Sequence, residues 1–263
     1  MITDRELRAV ARERNLPVDV VEKDYVLGWI LFGIASSAAS GSLAFKGGTA
    51  LSKIYFPGRW RLSEDLDFTA VDESEMLVLG TGVMYEVPGI VQKASGINIE
   101  MKGDPLANPE FFRGKIKYTG PLSKNNIKIE ISREPFIGKV VRKSVPHTYD
   151  YPKFAVKVYA LDNLLAEKMR AIIERGKIRD YYDVWRLLKI RKFDKQELKE
   201  LFLQKCKSKG VTFTGVEQMF PADIAKKLEP YLDTWLTRLS PEPLPELETI
   251  LAELKISLKD LLS

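Results

Sequence analysis

The stretch RLSEDLDF, residues 61 to 68, holds two carboxylates two positions apart, Asp65 and Asp67, with Leu66 and Phe68 alternating against them. On an extended strand alternate residues share a face, so the two acids project together while Leu66 and Phe68 turn toward a core. Carboxylates this close repel one another unless a proton or a cation lies between them. Magnesium, with manganese as a substitute, is the hard ion suited to carboxylate and phosphate oxygens. Glu64 falls on the other face and stands outside the pair. Upstream, KGGTAL places Gly47 and Gly48 ahead of a helical pattern, with sixteen residues between Gly48 and Asp65. A glycine turn lets backbone approach a ligand closely, and the opening of a helix offers amide donors to phosphate. The two features complement each other, since a nucleotide brings phosphates and the acids bring metal. Taken singly, each is commonplace: acid-x-acid pairs often cap or stay solvated, and Gly-Gly is often only a turn.

The elements that must position these residues follow from pattern. TDRELRAVARERN opens a helix with Thr3 as N-cap and Glu6 three residues on, a capping box. A buried helix is expected from about Val18 to Ala39, then a turn and a strand starting at Leu43. SLAFKGG predicts a short strand ending in the glycine turn, TALSKIY the helix after it, and LDFTAV the acid-bearing strand. Residues 74 to 95 look helical despite Gly80, Gly82 and Pro88. INIEMKG, FRGKIKYTG and NNIKIEISR alternate with a period near two, an antiparallel group, and FAVKVYA is one more strand. Beyond Leu161 the periodicity becomes helical. LDNLLAEKMRAIIERG ends at Gly176, RDYYDVWRLLKI opens a second helix, and further helices follow, interrupted by the proline-rich SPEPLPE. The expected organisation is an α/β domain over residues 1–155 followed by a helical domain over 156–263.

Composition narrows the chemistry. The chain has 263 residues, 45% hydrophobic and 29% charged, as expected of a soluble globular protein, and a net charge of +5 that suits a polyanionic partner. Cys206 is the only cysteine, which excludes an intrachain disulfide and a cysteine zinc cluster and fits a reducing, cytoplasmic setting. His147 is the only histidine, in the proline-flanked SVPHTYDYP, so a histidine-rich metal centre is excluded too. Any metal or acid–base chemistry must rest on carboxylates and lysines. Tyr25 to Phe45 carries no charge, but its second half is small and polar, so a buried helix rather than a membrane span is expected. The N-terminus is mixed in charge and helical, unlike a signal peptide.

KGGTAL followed by RLSEDLDF resembles the signature of the AbiEii/AbiGii nucleotidyltransferases, within the DNA polymerase β-like superfamily. EKDYVL, residues 22 to 27, is similar to that family's N-terminal helix. Lys168 in LLAEKMRA, with Arg179, Asp180 and Asp183 in RDYYDVWRL, is similar to its later lysine and R-D-x-x-D element. The resemblance spans most of residues 20 to 190 and implies an α+β fold: a polymerase β-like core, its mixed or antiparallel sheet flanked by helices, plus a C-terminal helical domain. It implies the toxin of a type IV toxin–antitoxin system, with an antitoxin protein as partner. The implied reaction is attack by an acceptor hydroxyl on the α-phosphorus of an NTP. The leading implied acceptor is RNA, above all the tRNA 3′ end.

On this reading Asp65 and Asp67 hold Mg2+ or Mn2+ against the triphosphate, while Gly47, Gly48 and Ser63 contact phosphates. Lys46, Arg59 and Arg61 are further phosphate or nucleic-acid contacts, or solvated surface charges. Lys168 offsets charge on the reacting phosphate, and Asp183 orients or deprotonates the acceptor, with the helical domain contributing both to the active-site cleft. In one continuous helix Lys168 and Asp183 would stand about 22 Å apart; the break at Gly176 lets two helices fold back. Asp180 shares a helix face with Asp183 or is an ordinary first-turn acid. Glu130 in NIKIEIS is a third carboxylate by position, or with Lys128 simply a polar strand face. Two competing readings use the same residues: a nucleotidyltransferase fold that binds nucleotide or RNA without catalysis, and a carboxylate-dependent phosphohydrolase or nuclease. Transfer to a protein hydroxyl is a third outcome, and it shares the chemistry.

Overall fold

A computed structural model describes all 263 residues, which divide into two compact units, Met1–Tyr159 and Ala160–Ser263. FAVKVYA forms a strand whose Phe45–Val158 register ties it parallel to the first strand, so it belongs to the sheet.

The first unit opens with helix α1 (Asp4–Glu13), started by the expected Thr3–Glu6 capping box, and α2 (Val18–Ser36). Strand β1 (Leu43–Lys46) runs directly into a short helical turn, α3 (Gly47–Ala50), which continues as a wider π turn over Leu51–Tyr55. Strand β2 (Asp65–Ala70), helix α4 (Met76–Ser95) and strands β3 (Asn98–Met101), β4 (Leu106–Asn108), β5 (Phe111–Thr119), β6 (Lys124–Arg133), β7 (Val140–Ser144) and β8 (Ala155–Tyr159) complete it. One mixed sheet results, ordered β3-β5-β6-β2-β1-β8-β7 with β4 beside β5. The acid-bearing β2 is central, antiparallel to β1 and parallel to β6.

Alternation decides which face carries chemistry. Leu66, Phe68, Phe112, Ile116, Ile127, Ile129 and Ile131 are all buried. Helix α4 lies against this face: a Cβ on Gly80 would strike the Phe112 ring, and one on Gly114 would strike Met84. Their strand neighbours Asp65, Asp67, Arg113, Lys128 and Glu130 therefore share the opposite face.

EKDYVL fastens α2 to three parts of this unit. The buried Glu22 accepts from the Leu122 and Ser123 amides at 2.7 and 2.9 Å, holding the β5–β6 turn. Lys23 pairs with Glu64 at 3.0 Å, just ahead of β2. Asp24 meets Lys53 of the π turn at 2.8 Å and accepts from the Tyr149 hydroxyl at 2.8 Å. Glu64 is thus outside the acid pair, as expected, but it is tied down rather than idle. No helix is long and apolar enough to cross a membrane.

The second unit is helical: α5 (Leu161–Glu174), α6 (Ile178–Ile190), α7 (Lys195–Ser208), the short α8 (Ile224–Leu228) and α9 (Leu232–Trp235), and α10 (Leu247–Leu262). Gly176, at φ +52°, ends α5 where the sequence places the stop. The left-handed backbone there turns the chain back into α6 after only three residues.

Candidate active site

The glycine turn and the acid pair meet in the first unit. Lys46 stands opposite Asp67 in the β1–β2 register, so Gly47 follows directly beside the second acid. Gly47 has φ +77°, and a Cβ there would lie 2.4 Å from Asp67 Oδ2. Both backbone conformation and space therefore require glycine. A Cβ on Gly48 would lie 3.0 Å from the Arg61 guanidinium and 3.2 Å from Ser63 Oγ. Arg61 is only 1% exposed and donates to the Leu62 carbonyl at 3.2 Å. It is therefore not a solvated surface charge. The Thr49 hydroxyl donates to the Asp65 carbonyl, locking turn to strand.

Asp65 and Asp67 do share a face, each paired in register with a charged residue of β6: Asp65 with Lys128, and Asp67 with Glu130. Glu130 is thus brought to the pair. Burial, then the charges of Glu130 and Asp65, push the Asp67 carboxyl from 3.8 up to about 6, against the partial relief of Lys46 and Lys128. Glu130 is the opposite case: burial raises it, but Arg113 at 2.6 Å and Lys128 at 3.3 Å hold it below the ordinary carboxylate value. Lys46 pairs with Glu134 at 3.0 Å, and its ammonium lies 5.7 Å from the centre of the Tyr159 ring.

No three His, Cys, Asp or Glu side chains are arranged to hold an ion by themselves. The donor set nevertheless fits magnesium, which commonly takes one or two carboxylates and completes its shell with water and substrate phosphates. Asp67, raised by burial and then by its acidic neighbours, is the carboxylate such an ion would most relieve. His147 is exposed on the loop after β7, beside the Tyr151 ring.

The second unit assembles its own cluster. The turn at Gly176 brings the Lys168 ammonium to 3.0 Å from Asp183 Oδ2 and 3.1 Å from Asp180 Oδ1. Arg175 grips Asp180 with two bonds, at 2.8 and 3.0 Å. Burial raises the Asp180 carboxyl, but Lys168 and Arg175 outweigh it and hold it far below the usual range. Asp180 is therefore an ion-pair anchor rather than a solvated first-turn acid, and Asp183 is fully buried. Arg179 faces elsewhere, with its guanidinium 4.5 Å from the centre of the Trp235 ring.

Arg113, Glu134 and Arg175 escaped sequence reasoning. Arg113 and Arg175 were in principle findable, one at an outward position of a clearly alternating strand and the other beside the Gly176 break. Glu134 carries no local signal.

The family model for the nucleotidyl transferase AbiEii toxin of type IV toxin–antitoxin systems matches residues 29–253. The chain belongs to the AbiEii family. It is accordingly a nucleotidyltransferase, an enzyme of the toxin side of such systems. Among solved structures, the chain is similar in fold to MenT4, a nucleotidyltransferase toxin from Mycobacterium tuberculosis. That match has a TM-score of 0.63 at 18% identity and covers 98% of this chain and 88% of that one. JHP933 from Helicobacter pylori follows with a TM-score of 0.54 at 20% identity, covering 94% and 93%. These likenesses bear out the expected mixed sheet with flanking helices and a helical C-terminal region. No match was found among curated proteins.

Proposed function

We propose that this AbiEii enzyme carries out Mg2+-dependent transfer of a nucleoside monophosphate from an NTP to an RNA hydroxyl, with the tRNA 3′ end as acceptor. The reading is supported above all by the juxtaposition of Asp65 and Asp67 with the Gly47 turn, and by the raised carboxyl of Asp67. Asp65 and Asp67 would hold the metal. When bound, the ion supplies neutralisation of phosphate charge and helps orient the triphosphate for in-line attack. Gly47 and Gly48 let the backbone approach the phosphates, with the Ser63 hydroxyl beside them. Lys46 adds positive charge next to Asp67. The acceptor hydroxyl gives up its proton to solvent as its oxygen forms a bond to the α-phosphorus, the bridge to the β-phosphate breaks, and pyrophosphate leaves.

Within the helical unit we assign Lys168 the role of a cation suited to phosphate charge, held in place by Asp180 and Asp183. Asp183, fully buried and paired with that ammonium, is better suited to orienting Lys168 than to deprotonating an acceptor. Glu130, held charged by Arg113 and Lys128, fixes the electrostatics of the acid pair rather than acting as a base. Action on RNA, a cognate antitoxin protein as inhibitor and a cytoplasmic setting complete the reading. The net charge of +5 is consistent with RNA.

The test is incubation with each NTP labelled at the α-phosphate, Mg2+ and total RNA plus total protein, for wild type, Asp67→Ala and Lys168→Ala. Label in RNA with wild type alone supports the reading. Label in protein moves the acceptor, and label in neither with any NTP leaves a binding-only protein.

A further inference from the structure

Charges on the open face of the sheet follow the strand register in two rows. One row runs Lys46, Asp67, Glu130, Arg113 across β1, β2, β6 and β5. The adjacent row runs Asp65, Lys128, Lys115 across β2, β6 and β5. Three acids in neighbouring positions need compensation, and two of the cations are already engaged. Arg113 is bonded to Glu130 at 2.6 Å, and Lys46 reaches past the acids to Glu134 at 3.0 Å. Lys128 alone links the rows: its ammonium is 3.3 Å from Asp65 Oδ2 and 3.3 Å from Glu130 Oε1. Its bond to Asp65 crosses from β6 to β2, so it is more than a polar pair along one strand.

We infer that Lys128 is the internal counter-ion of the acid pair, competing with the divalent metal for Asp65 and so setting the metal concentration at which the enzyme loads. The inference rests on the metal reading above and adds to it the residue that tunes affinity. An ammonium is suited to this task, being a compact charge on a flexible stem that can leave a carboxylate without dismantling a fork of bonds. The Lys128 side chain is 31% exposed, which gives its head somewhere to go. Arginine at the same position would grip both carboxylates in a planar fork and yield less readily.

The test is Mn2+ binding to the full chain at pH 7.5, read by the loss of free-ion signal in electron paramagnetic resonance. The proteins are wild type, Lys128→Met, Lys128→Arg and Lys115→Met. Removing the competing charge should tighten Mn2+ binding in Lys128→Met by roughly fivefold, the size of one partly exposed ion pair. Lys128→Arg should weaken it by a similar factor, and Lys115→Met should stay within about twofold, since that side chain is exposed and meets no carboxylate. A merely structural role would move both Lys128 variants in the same direction. That result, or unchanged binding in both, overturns the inference while leaving the metal site standing. Failure of wild type to bind Mn2+ at millimolar concentration overturns the metal reading and the inference together. Should Lys128→Met not fold, Lys128→Arg decides alone, with unchanged or tighter binding counting against.

Discussion

Replacing Asp67 by asparagine should stabilise the metal-free protein at alkaline pH while destroying transfer. The Asp67 carboxyl is raised from 3.8 to about 6, first by burial and then by Glu130 and Asp65. A carboxyl raised on folding favours the folded state while protonated. Its contribution is fully present below about pH 4 and is lost as the pH rises through 6. At pH 8 the folded chain therefore carries a carboxylate that folding disfavours by up to roughly 3 kcal/mol. Because Asp67 is not fully sealed from water, a discounted figure of about 1–2 kcal/mol is the working magnitude. Asparagine removes that charge at nearly constant shape. For units of this size the gain corresponds to a rise in Tm of about 3–6 °C. Thermal unfolding in EDTA, followed by circular dichroism at pH 8 and pH 4.5, measures it. The gain should appear at pH 8 and shrink toward zero at pH 4.5, where wild-type Asp67 is itself protonated. Mg2+ added at pH 8 should stabilise wild type and narrow the gap, since it binds only the folded form. An asparagine variant no more stable than wild type at pH 8, or equally ahead at both pH values, refutes the reasoning.

Gly47→Ala should cost about 2 kcal/mol or more in chemical unfolding, from φ +77° and the clash with Asp67 Oδ2, and should abolish transfer. Lys168→Ala leaves Asp180 and Asp183 buried with one cation fewer, so urea titration should show a loss of about 3–5 kcal/mol. Loss of activity in that variant then needs comparison with Lys168→Arg, which keeps the charge but not the point-like head. Glu22→Ala unties two backbone amides of the β5–β6 turn and should cost about 1–3 kcal/mol in urea titration. Hydrogen exchange of the Leu122 and Ser123 amides should speed up in the same variant.

What could be read from the sequence was whatever depends on neighbours a few residues away. The Thr3–Glu6 box, the stop at Gly176, the helical turn at Gly47–Gly48 and the shared face of Asp65 and Asp67 each follow from local backbone chemistry or from a period of two. The approach of Lys168 to Asp183 was legible for the same reason, because one left-handed glycine decides it. What stayed hidden was register across strands distant in sequence. Nothing near Arg113 announces that it stands opposite Glu130, nor near Lys128 that it reaches Asp65. The short edge strands β4 and β7 were missed because three to five residues at a sheet edge need show no alternation. The strand β8 was legible in FAVKVYA, but not its pairing with β1 more than a hundred residues away. The π turn over Leu51–Tyr55 carries Lys53, which reaches Asp24 on another helix, and that contact has no local signature.

The central claim, that Asp65 and Asp67 serve nucleotidyl rather than phosphoryl transfer, is tested most directly by following two labels in one reaction. ATP, CTP, GTP and UTP are each supplied once with the α-phosphate labelled and once with the γ-phosphate labelled, together with Mg2+ and RNA. With one or more of them, α-label should enter RNA and γ-label should leave as pyrophosphate, and both signals should vanish in Asp67→Asn. Label from the γ-phosphate in RNA, or α-label incorporation that survives in Asp67→Asn, would contradict the account.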